Sequence, residues 1–297
     1  MEEKKTALVL GGTGGIGKEL GRLLAANNIT TIIVGRNKQK TEAVSKDIGA
    51  TDFVLADLSL QSNVRHVADE VLSKYKRLDY LVLSAGGMKT EKKLTSEGVE
   101  TSLALNYLSR FLLTSLLKDR LAESGGRVLN VARAGLNCDV FFDDPNFDLE
   151  SFTMFKCHHQ FQQLNDVFMV EAQRRWGNLG KGIQFHSSVP GLVDTGIVRD
   201  FRGLFGFFYN TLLRPIKKSP TSTAACLLPL LLGPAGAEGG RLWSGGIVWN
   251  HLSEITPANH VVDLEYGEKC WKLSESLLIP FPVRPESKPS FRYGLSS

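Results

Sequence analysis

The chain has 297 residues, 42% of them hydrophobic, which is enough for one large globular domain or two small ones. Its 35 lysines and arginines against 31 acidic residues leave a net charge of +4 without a block of like charge, which does not favour nucleic-acid binding or a polybasic membrane anchor. The four cysteines lie far apart without a CxxC pair, which favours reduced thiols and a cytoplasmic location over a disulfide framework.

Short β-rich runs alternate with longer helical patterns from Thr6 to about Phe185. Most of the runs are continuous and apolar, as a parallel sheet covered on both faces requires. The predicted strands are TALVL (6–10), TTIIV (30–34), DFVLA (52–56), DYLVLS (79–84), RVLNVA (127–132) and GIQFHS (182–187). The segments between them carry apolar residues at helical spacing. The alternation predicts an α/β Rossmann fold, with a doubly wound parallel sheet, in a single domain over residues 1–297.

The pattern becomes less regular after Val189. Residues 189–217 form a Gly-rich and aromatic-rich insertion, and residues 219–233 have a helical pattern. GGIVWN (245–250) could supply a last strand, and the Pro-rich tail over residues 279–297 is predicted to be irregular. The longest apolar stretches are shorter than the ~20 residues that span a bilayer, so no transmembrane segment is predicted.

The first strand leads directly into a glycine-rich turn, GGTGGIG (11–17), and then into a helix. Glycine permits positive φ and lets the backbone approach a pyrophosphate closely, while a helix N-terminus offers free N–H groups. A strand before the turn and a helix after it make the motif specific. The turn therefore predicts dinucleotide binding, against the alternative of a purely structural glycine turn.

The spacing of Gly11, Gly15 and Gly17 fits Gly-x-x-x-Gly-x-Gly, which resembles the short-chain dehydrogenase/reductase family. Further motifs of that family follow in order along almost the whole chain. Asp57-Leu58 resembles its adenine-contacting pair, and LSAGG (83–87) resembles its Asn-Ala-Gly turn, with Ser84 in place of Asn.

Two later motifs extend the resemblance. LNYLSRFLLTSLL, which contains Asn106, resembles the NHLGHFLLT-type helix of the retinol dehydrogenase-like branch. PGLVDT (190–195) matches the segment that in the family contacts the nicotinamide carboxamide. The residues predicted to bind the cofactor are Gly11, Thr13, Gly15, Ile16, Gly17, Arg36, Asp57, Leu58, Ala85, Gly86, Pro190, Val193 and Thr195.

The end of the second strand indicates which nicotinamide cofactor is used. An acidic residue there would bind the ribose 2′-hydroxyl of NAD, whereas this chain has Gly35-Arg36-Asn37. A cation at this position can pair with a 2′-phosphate, so NADP(H) is predicted. The alternative is that Arg36 is only a solvated loop charge.

The catalytic positions depart from the family pattern. The family carries a serine after the fifth strand, and a tyrosine and a lysine spaced i, i+4 on the next long helix. The resemblance puts Ala132 and Arg133 in place of the family's two serines at that point. It puts His159 at the tyrosine position and Gln163 at the lysine position of the helix that contains KCHHQFQQLND (156–166).

Helical spacing places His159, Gln163 and Asp166 on one polar face, which we expect to border the cofactor cleft. Histidine is a competent general acid or base, Arg133 could stabilise an oxyanion, and Asp166 could orient His159 or act as an acid itself. The alternative is a decayed site in which these side chains only solvate a cleft. His158 points away from His159, so no metal site is predicted. The predicted catalytic residues are Asn106, Arg133, His159, Gln163 and Asp166.

Three functions fit these residues. The first is NADP(H)-dependent oxidation or reduction of a lipophilic alcohol or ketone, with the oily insertion over residues 189–217 covering the substrate as the corresponding loop does in the family. That insertion could equally pack on the core or on a second subunit of a homo-oligomer. The second is non-redox chemistry, such as isomerisation, dehydration or cyclisation, through Arg133, His159 and Asp166. The third is a non-catalytic NADP-binding protein.

Overall fold

A single α/β sheet organises the chain in the computed structural model, which describes residues 4–195, 216–233, 241–244 and 252–280. The strands in these ranges are β1 (Thr6–Leu10), β2 (Thr30–Gly35), β3 (Asp52–Leu55), β4 (Tyr80–Leu83), β5 (Arg127–Val131), β6 (Gln184–Val189), β7 (Arg241–Ser244) and β8 (Ser253–Ile255). Their order in the sheet is β3-β2-β1-β4-β5-β6-β7-β8. Strands β1 to β7 are parallel, and β8 pairs antiparallel with β7.

Helices cover both faces of this sheet. They are α1 (Gly15–Ala26), α2 (Lys38–Ile48), α3 (Gln61–Lys74), α4 (Thr101–Leu103), a π-helical turn (Ala104–Leu108), α5 (Ser109–Ser124), α6 (Met154–Trp176), α7 (Pro220–Leu227), α8 (Pro229–Leu232), a 3-10 turn (Asn259–Val261) and α9 (Leu264–Ser276). One apolar cluster joins the sheet to α3, α5, α6 and α9, and a second joins the opposite face to α1, α2, α7 and α8. Alternate residues of β1 enter the two clusters, so the sheet is doubly wound.

The predicted α/β fold class and its parallel, doubly wound sheet are confirmed. The first six predicted strands are present, and residues 219–233 form α7 and α8 within the described range. Strand β7 (Arg241–Ser244) precedes the predicted strand GGIVWN (245–250), and all of GGIVWN lies outside the described residues. Residues 196–215 of the predicted insertion and 281–297 of the predicted tail also lie outside them. None of the described helices is long and apolar enough to cross a membrane.

Helix α9 was not predicted from the sequence. Its Trp271 ring packs edge-on against Phe111 and Trp176, each with ring centroids 5.0 Å apart. The hydroxyls of Tyr107 and Ser274 form a hydrogen bond between the π-helical turn and α9. Helix α9 therefore covers the outward face of α5 and α6 with aromatic contacts.

The order of the strands also defines where a ligand can bind. Strand β1 has β2 on one side and β4 on the other, so the direction of winding reverses between β1 and β4. In open α/β sheets, ligands bind in the crevice outside the carboxyl ends of the strands at such a reversal. The glycine turn after β1 and the LSAGG turn after β4 lie at this point.

Candidate active site

The glycine turn after β1 is fixed by close backbone approaches. Gly11 and Gly15 have positive φ values of 72° and 54°. A Cβ on Gly11 would stand 2.7 Å from the Cα of Ala85, and one on Gly17 would stand 2.7 Å from the carbonyl oxygen of Gly11. Because these neighbours are backbone atoms, a side chain at Gly11 or Gly17 would displace the turn.

The N-terminus of α1 has no capping side chain among the described residues. Gly14 is the N-cap residue, and the first turn has no acidic residue. The free N–H groups and the helix dipole favour a phosphate there. Thr195 lies over this turn, because a Cβ on Gly15 would stand 3.1 Å from the Cβ of Thr195. These residues fit a pyrophosphate-binding cradle.

The other segments predicted to bind the cofactor converge on the same crevice. Asn106 accepts a hydrogen bond from Gly87 N (3.0 Å) and donates one to Gly87 O (2.8 Å), which fixes the turn after β4. Asp57 forms hydrogen bonds within its own turn, since its Oδ1 accepts from the N and Oγ of Ser59. Of the remaining predicted residues, Ile16, Leu58, Ala85 and Val193 are buried, Thr13 and Pro190 are half-buried, and Gly86 is exposed. Their cofactor contacts stay predictions.

Two cations flank the cradle at the start of α2. Arg36 is exposed and has no ion-pair partner among the described residues. The Lys40 ammonium lies 3.7 Å from where a Cβ on Gly14 would stand. Asn37 caps α2 by accepting a hydrogen bond from Lys40 N at 2.9 Å, which fixes the backbone between these cations. Lys40 was not predicted from the sequence because it is the third residue of the predicted helix.

The polar face of α6 binds the backbone of the loop that follows β5. Four polar side chains of α6 each accept a hydrogen bond from a different loop N–H, at 2.7–3.0 Å. The acceptor and donor pairs are Gln162 with Arg133, Asp166 with Gly135, Gln163 with Cys138, and Gln160 with Phe141. We call these four side chains the loop clamp. They hold the loop over residues 133–141 against α6.

The loop clamp corrects part of the sequence interpretation. Gln163 and Asp166 were expected to border an open cleft, but both are 0% exposed, and the loop covers them. Asp166 has no contact with His159, because its two oxygens bind Gly135 N and the Ser187 hydroxyl. The two residues are also seven positions apart, about 10 Å along a helix. Asp166 therefore does not orient His159.

Burial raises the pKa of the one carboxyl group in the loop clamp. Desolvation raises the pKa of Asp166 to about 7, and this outweighs the hydrogen bonds from Gly135, Ser187 and Leu136, which act in the opposite direction. The amide nitrogen of Gln163 is buried without a hydrogen-bond partner in the described part of the chain. A catalytic role for either residue stays a prediction.

His159 and Arg133 remain accessible above the clamp. His159 is half-buried and Arg133 is exposed. The neighbouring His158 packs edge-on against Phe161, and its pKa is lowered to about 4 by burial, then by Arg133 and His159. His158 is therefore neutral at physiological pH. Within the described ranges, no three His, Cys, Asp or Glu side chains are grouped to hold a metal ion.

A buried polar network below the site was missed entirely. Arg110 donates hydrogen bonds to Asn130 Oδ1, Val131 O and Ala85 O. Asn130 Nδ2 donates to Ser187 Oγ (3.4 Å), which in turn donates to Asp166 Oδ1 (3.3 Å). The sequence did contain a signal, because Arg110 stands where NHLGHFLLT has its second histidine.

Comparisons with known proteins identify the family of the chain. The family model for short chain dehydrogenase matches residues 5–137, and so ends ahead of α6. DnrU of Streptomyces sp. (strain C5), a daunorubicin C-13 ketoreductase candidate, is 30% identical over 277 residues, covering 91% of each chain. Human retinol dehydrogenase 13 is 30% identical over 288 residues, covering 92% of this chain and 84% of its own.

The solved structures match the fold. An uncharacterised protein from Mycobacterium paratuberculosis superposes with a TM-score of 0.70 at 23% identity, covering 92% of both chains. An actinorhodin polyketide ketoreductase variant with NADPH superposes with a TM-score of 0.63 at 20% identity, covering 82% of this chain and 96% of its own. The chain belongs to the short-chain dehydrogenase/reductase family, as an oxidoreductase of its retinol dehydrogenase-like branch, and this family uses nicotinamide cofactors.

Proposed function

We propose that this enzyme interconverts a lipophilic ketone and its alcohol with NADP(H), and that His159 carries the proton. The observation that supports this is a difference in burial among the polar side chains of α6. Gln163 and Asp166 are buried in the loop clamp, whereas His159, which the resemblance puts at the family's tyrosine position, is half-buried. The only titratable side chain of the predicted polar face that is left to serve the substrate is then His159.

The cradle after β1 suits a nicotinamide dinucleotide. The uncapped N-terminus of α1 would hold the pyrophosphate, and Arg36 and Lys40 would bind a 2′-phosphate. When bound, the reduced cofactor supplies the hydride that is added to the carbonyl carbon. Two cations and no carboxylate at the end of β2 favour NADP(H) over NAD(H).

The protein's own groups complete the reduction. His159 in its protonated form donates a proton to the carbonyl oxygen as that oxygen gains negative charge, and in the reverse direction it accepts the proton. The Arg133 guanidinium stabilises the same oxygen. Gln162 holds the backbone of Arg133 by a 2.7 Å hydrogen bond, so the clamp positions this cation.

The proposed substrate class rests on relatives and on composition. The similar proteins include a retinol dehydrogenase and a candidate daunorubicin ketoreductase. The residues between Leu204 and Leu213 are rich in Phe and Leu, which suits a lipophilic ligand. We further propose a cytoplasmic location for the enzyme, and the homo-oligomer stays a prediction.

Hydride transfer is tested by isotope labelling. NADPH deuterated at C4, prepared separately in each of its two configurations, is incubated with daunorubicin or all-trans-retinal as the probe ketone or aldehyde. We expect deuterium in the product alcohol from one configuration. Turnover without deuterium in either case would contradict the redox proposal and favour the non-redox alternative.

The role of His159 is tested with a matched neighbour. We expect His159→Phe to lower kcat by about 10²-fold or more, because the proton donor is lost. His159→Tyr, which restores the family's residue type, should retain part of the activity. His158→Phe is the control, since His158 is already neutral and packed on Phe161. Equal losses in His158→Phe and His159→Phe would contradict the assignment.

Cofactor preference is tested at the two cations. Arg36→Asp together with Lys40→Ala should weaken NADPH binding by at least about 100-fold, because each charge-assisted bond contributes about 1.5–3 kcal/mol. NADH binding should change by less than threefold. Lys38→Ala is the control, since Lys38 pairs with Glu42. Equal losses for NADPH and NADH would contradict 2′-phosphate recognition.

A further inference from the structure

A buried cation lies below the crevice without an anionic partner. Arg110 is 4% exposed. Its guanidinium donates to Asn130 Oδ1 at 2.5 Å, to Val131 O at 3.0 Å and to Ala85 O at 2.7 Å, all of them uncharged acceptors. No carboxylate among the described residues pairs with it, and Nε has no partner there. The hydrogen-bond path from Arg110 to Asp166 passes through Asn130 and Ser187.

The guanidinium keeps its charge in this environment. Burial lowers the pKa of Arg110 to about 9, which still leaves the group protonated at neutral pH. Arginine is the side chain that best tolerates burial as a cation, because its charge is delocalised and weakly hydrated. Its field is poorly screened by solvent in this position. A group that changes charge nearby will therefore respond to it.

The location of Arg110 indicates which group that is. Its partners Ala85 and Val131 lie at the carboxyl ends of β4 and β5. A dinucleotide whose pyrophosphate lies on α1 must extend its reactive ring away from β1 and toward His159 on α6. Because β4 and β5 follow β1 in the sheet order, this path would cross the carboxyl ends of these two strands, where Arg110 donates its hydrogen bonds.

We propose that Arg110 makes the site prefer the reduced cofactor and thereby directs the enzyme toward ketone reduction. This inference rests on the proposed function. The nicotinamide ring is positively charged when oxidised and neutral when reduced, so a nearby buried cation disfavours NADP⁺ and leaves NADPH nearly unaffected. At an effective dielectric constant of about 20, the repulsion between two unit charges on the order of 10 Å apart corresponds to more than about tenfold in affinity.

The test measures the dissociation constants of NADP⁺ and NADPH separately, by titration calorimetry on the full chain without substrate. The wild type should bind NADPH at least about tenfold more tightly than NADP⁺. Arg110→Met removes the charge and keeps the apolar stem, and it should reduce that ratio about tenfold through tighter NADP⁺ binding. Arg110→Gln, which can still donate to a carbonyl, should do the same if the Met variant does not fold.

Asn130→Ala is the matched control. It removes a hydrogen bond from the same network but keeps the cation, so it should lower Tm and leave the ratio unchanged within about twofold. A wild-type ratio near one, or an unchanged ratio in Arg110→Met or Arg110→Gln, would overturn the inference and leave the proposed function intact. A wild type that binds neither form would refute the proposed function itself.

Discussion

The two ends of the crevice are built on different constraints. At the cofactor end, Gly11 and Gly17 are set by backbone atoms that leave no room for a Cβ. At the catalytic end, four polar side chains of α6 bind loop N–H groups, whereas His159 and Arg133 remain accessible. The glycines therefore carry an interpretable steric signal, whereas polar residues at familiar catalytic positions can have a wholly structural role.

The largest expected effect is at the glycine turn. Gly17→Ala would place a Cβ 2.7 Å from Gly11 O, so we expect the turn to shift, the unfolding free energy to fall by about 2–4 kcal/mol and NADPH binding to be lost. Gly14→Ala is the informative comparison. Among the described residues, its Cβ would meet only the Lys40 ammonium, at 3.7 Å, and its extended backbone suits any residue.

Gly14→Ala should therefore keep its Tm within about 2 °C while the added methyl group weakens NADPH binding about tenfold or more, because it intrudes on the cradle. Thermal melts and binding titrations of both variants separate the two effects. Unchanged NADPH affinity in Gly14→Ala would show that the N-terminus of α1 does not hold the pyrophosphate.

The next effect concerns the buried carboxylate of the clamp. Because the pKa of Asp166 rises from 3.8 to about 7 on folding, the folded chain holds more protons than the unfolded chain between these values. The free energy of unfolding must then fall as pH rises through this window, and the loss is complete above about pH 7. Asp166→Asn removes this titration. Between pH 5 and pH 8, the variant should gain about 2–3 kcal/mol relative to the wild type.

Denaturant unfolding at pH 5, 6, 7 and 8 measures this difference directly. Other titrating groups are common to both proteins and cancel when the two curves are subtracted. A difference that does not change with pH would show that Asp166 titrates in the ordinary carboxylate range, and the clamp would then hold a stable anion.

The contrast between the two ends also explains what the sequence could predict. Continuous apolar strands and a glycine turn between strand and helix predict the fold and the cradle, because burial and steric limits leave a local pattern. The loop clamp depends on which N–H groups of an irregular loop meet α6, and no local pattern encodes that. Helix α9 was missed because its apolar residues follow an irregular region and are stabilised by distant aromatic partners such as Phe111.

A smaller effect is expected from one member of the clamp. Gln160→Leu leaves Phe141 N and Pro145 O without their hydrogen-bond partner. Because buried polar groups then stay unsatisfied, we expect the unfolding free energy to fall by about 1–3 kcal/mol. Gln173→Leu is the control, since Gln173 accepts from Phe185 N at the other end of α6. Both should lose stability, but only Gln160→Leu should accelerate hydrogen exchange over residues 133–146. Equal exchange in the two variants would contradict a local clamp.

The smallest effect is expected at the cap of α2. Asn37→Ala removes the hydrogen bond that Oδ1 accepts from Lys40 N, which should lower the unfolding free energy by about 1 kcal/mol. The cap also fixes the backbone from Arg36 to Lys40, so its loss should weaken NADPH binding about threefold and leave NADH binding unchanged. Asn37→Ser, which can still cap the helix, should restore both quantities. If NADPH and NADH were weakened equally, the cap would act through general stability, and the two cations would not form a 2′-phosphate site.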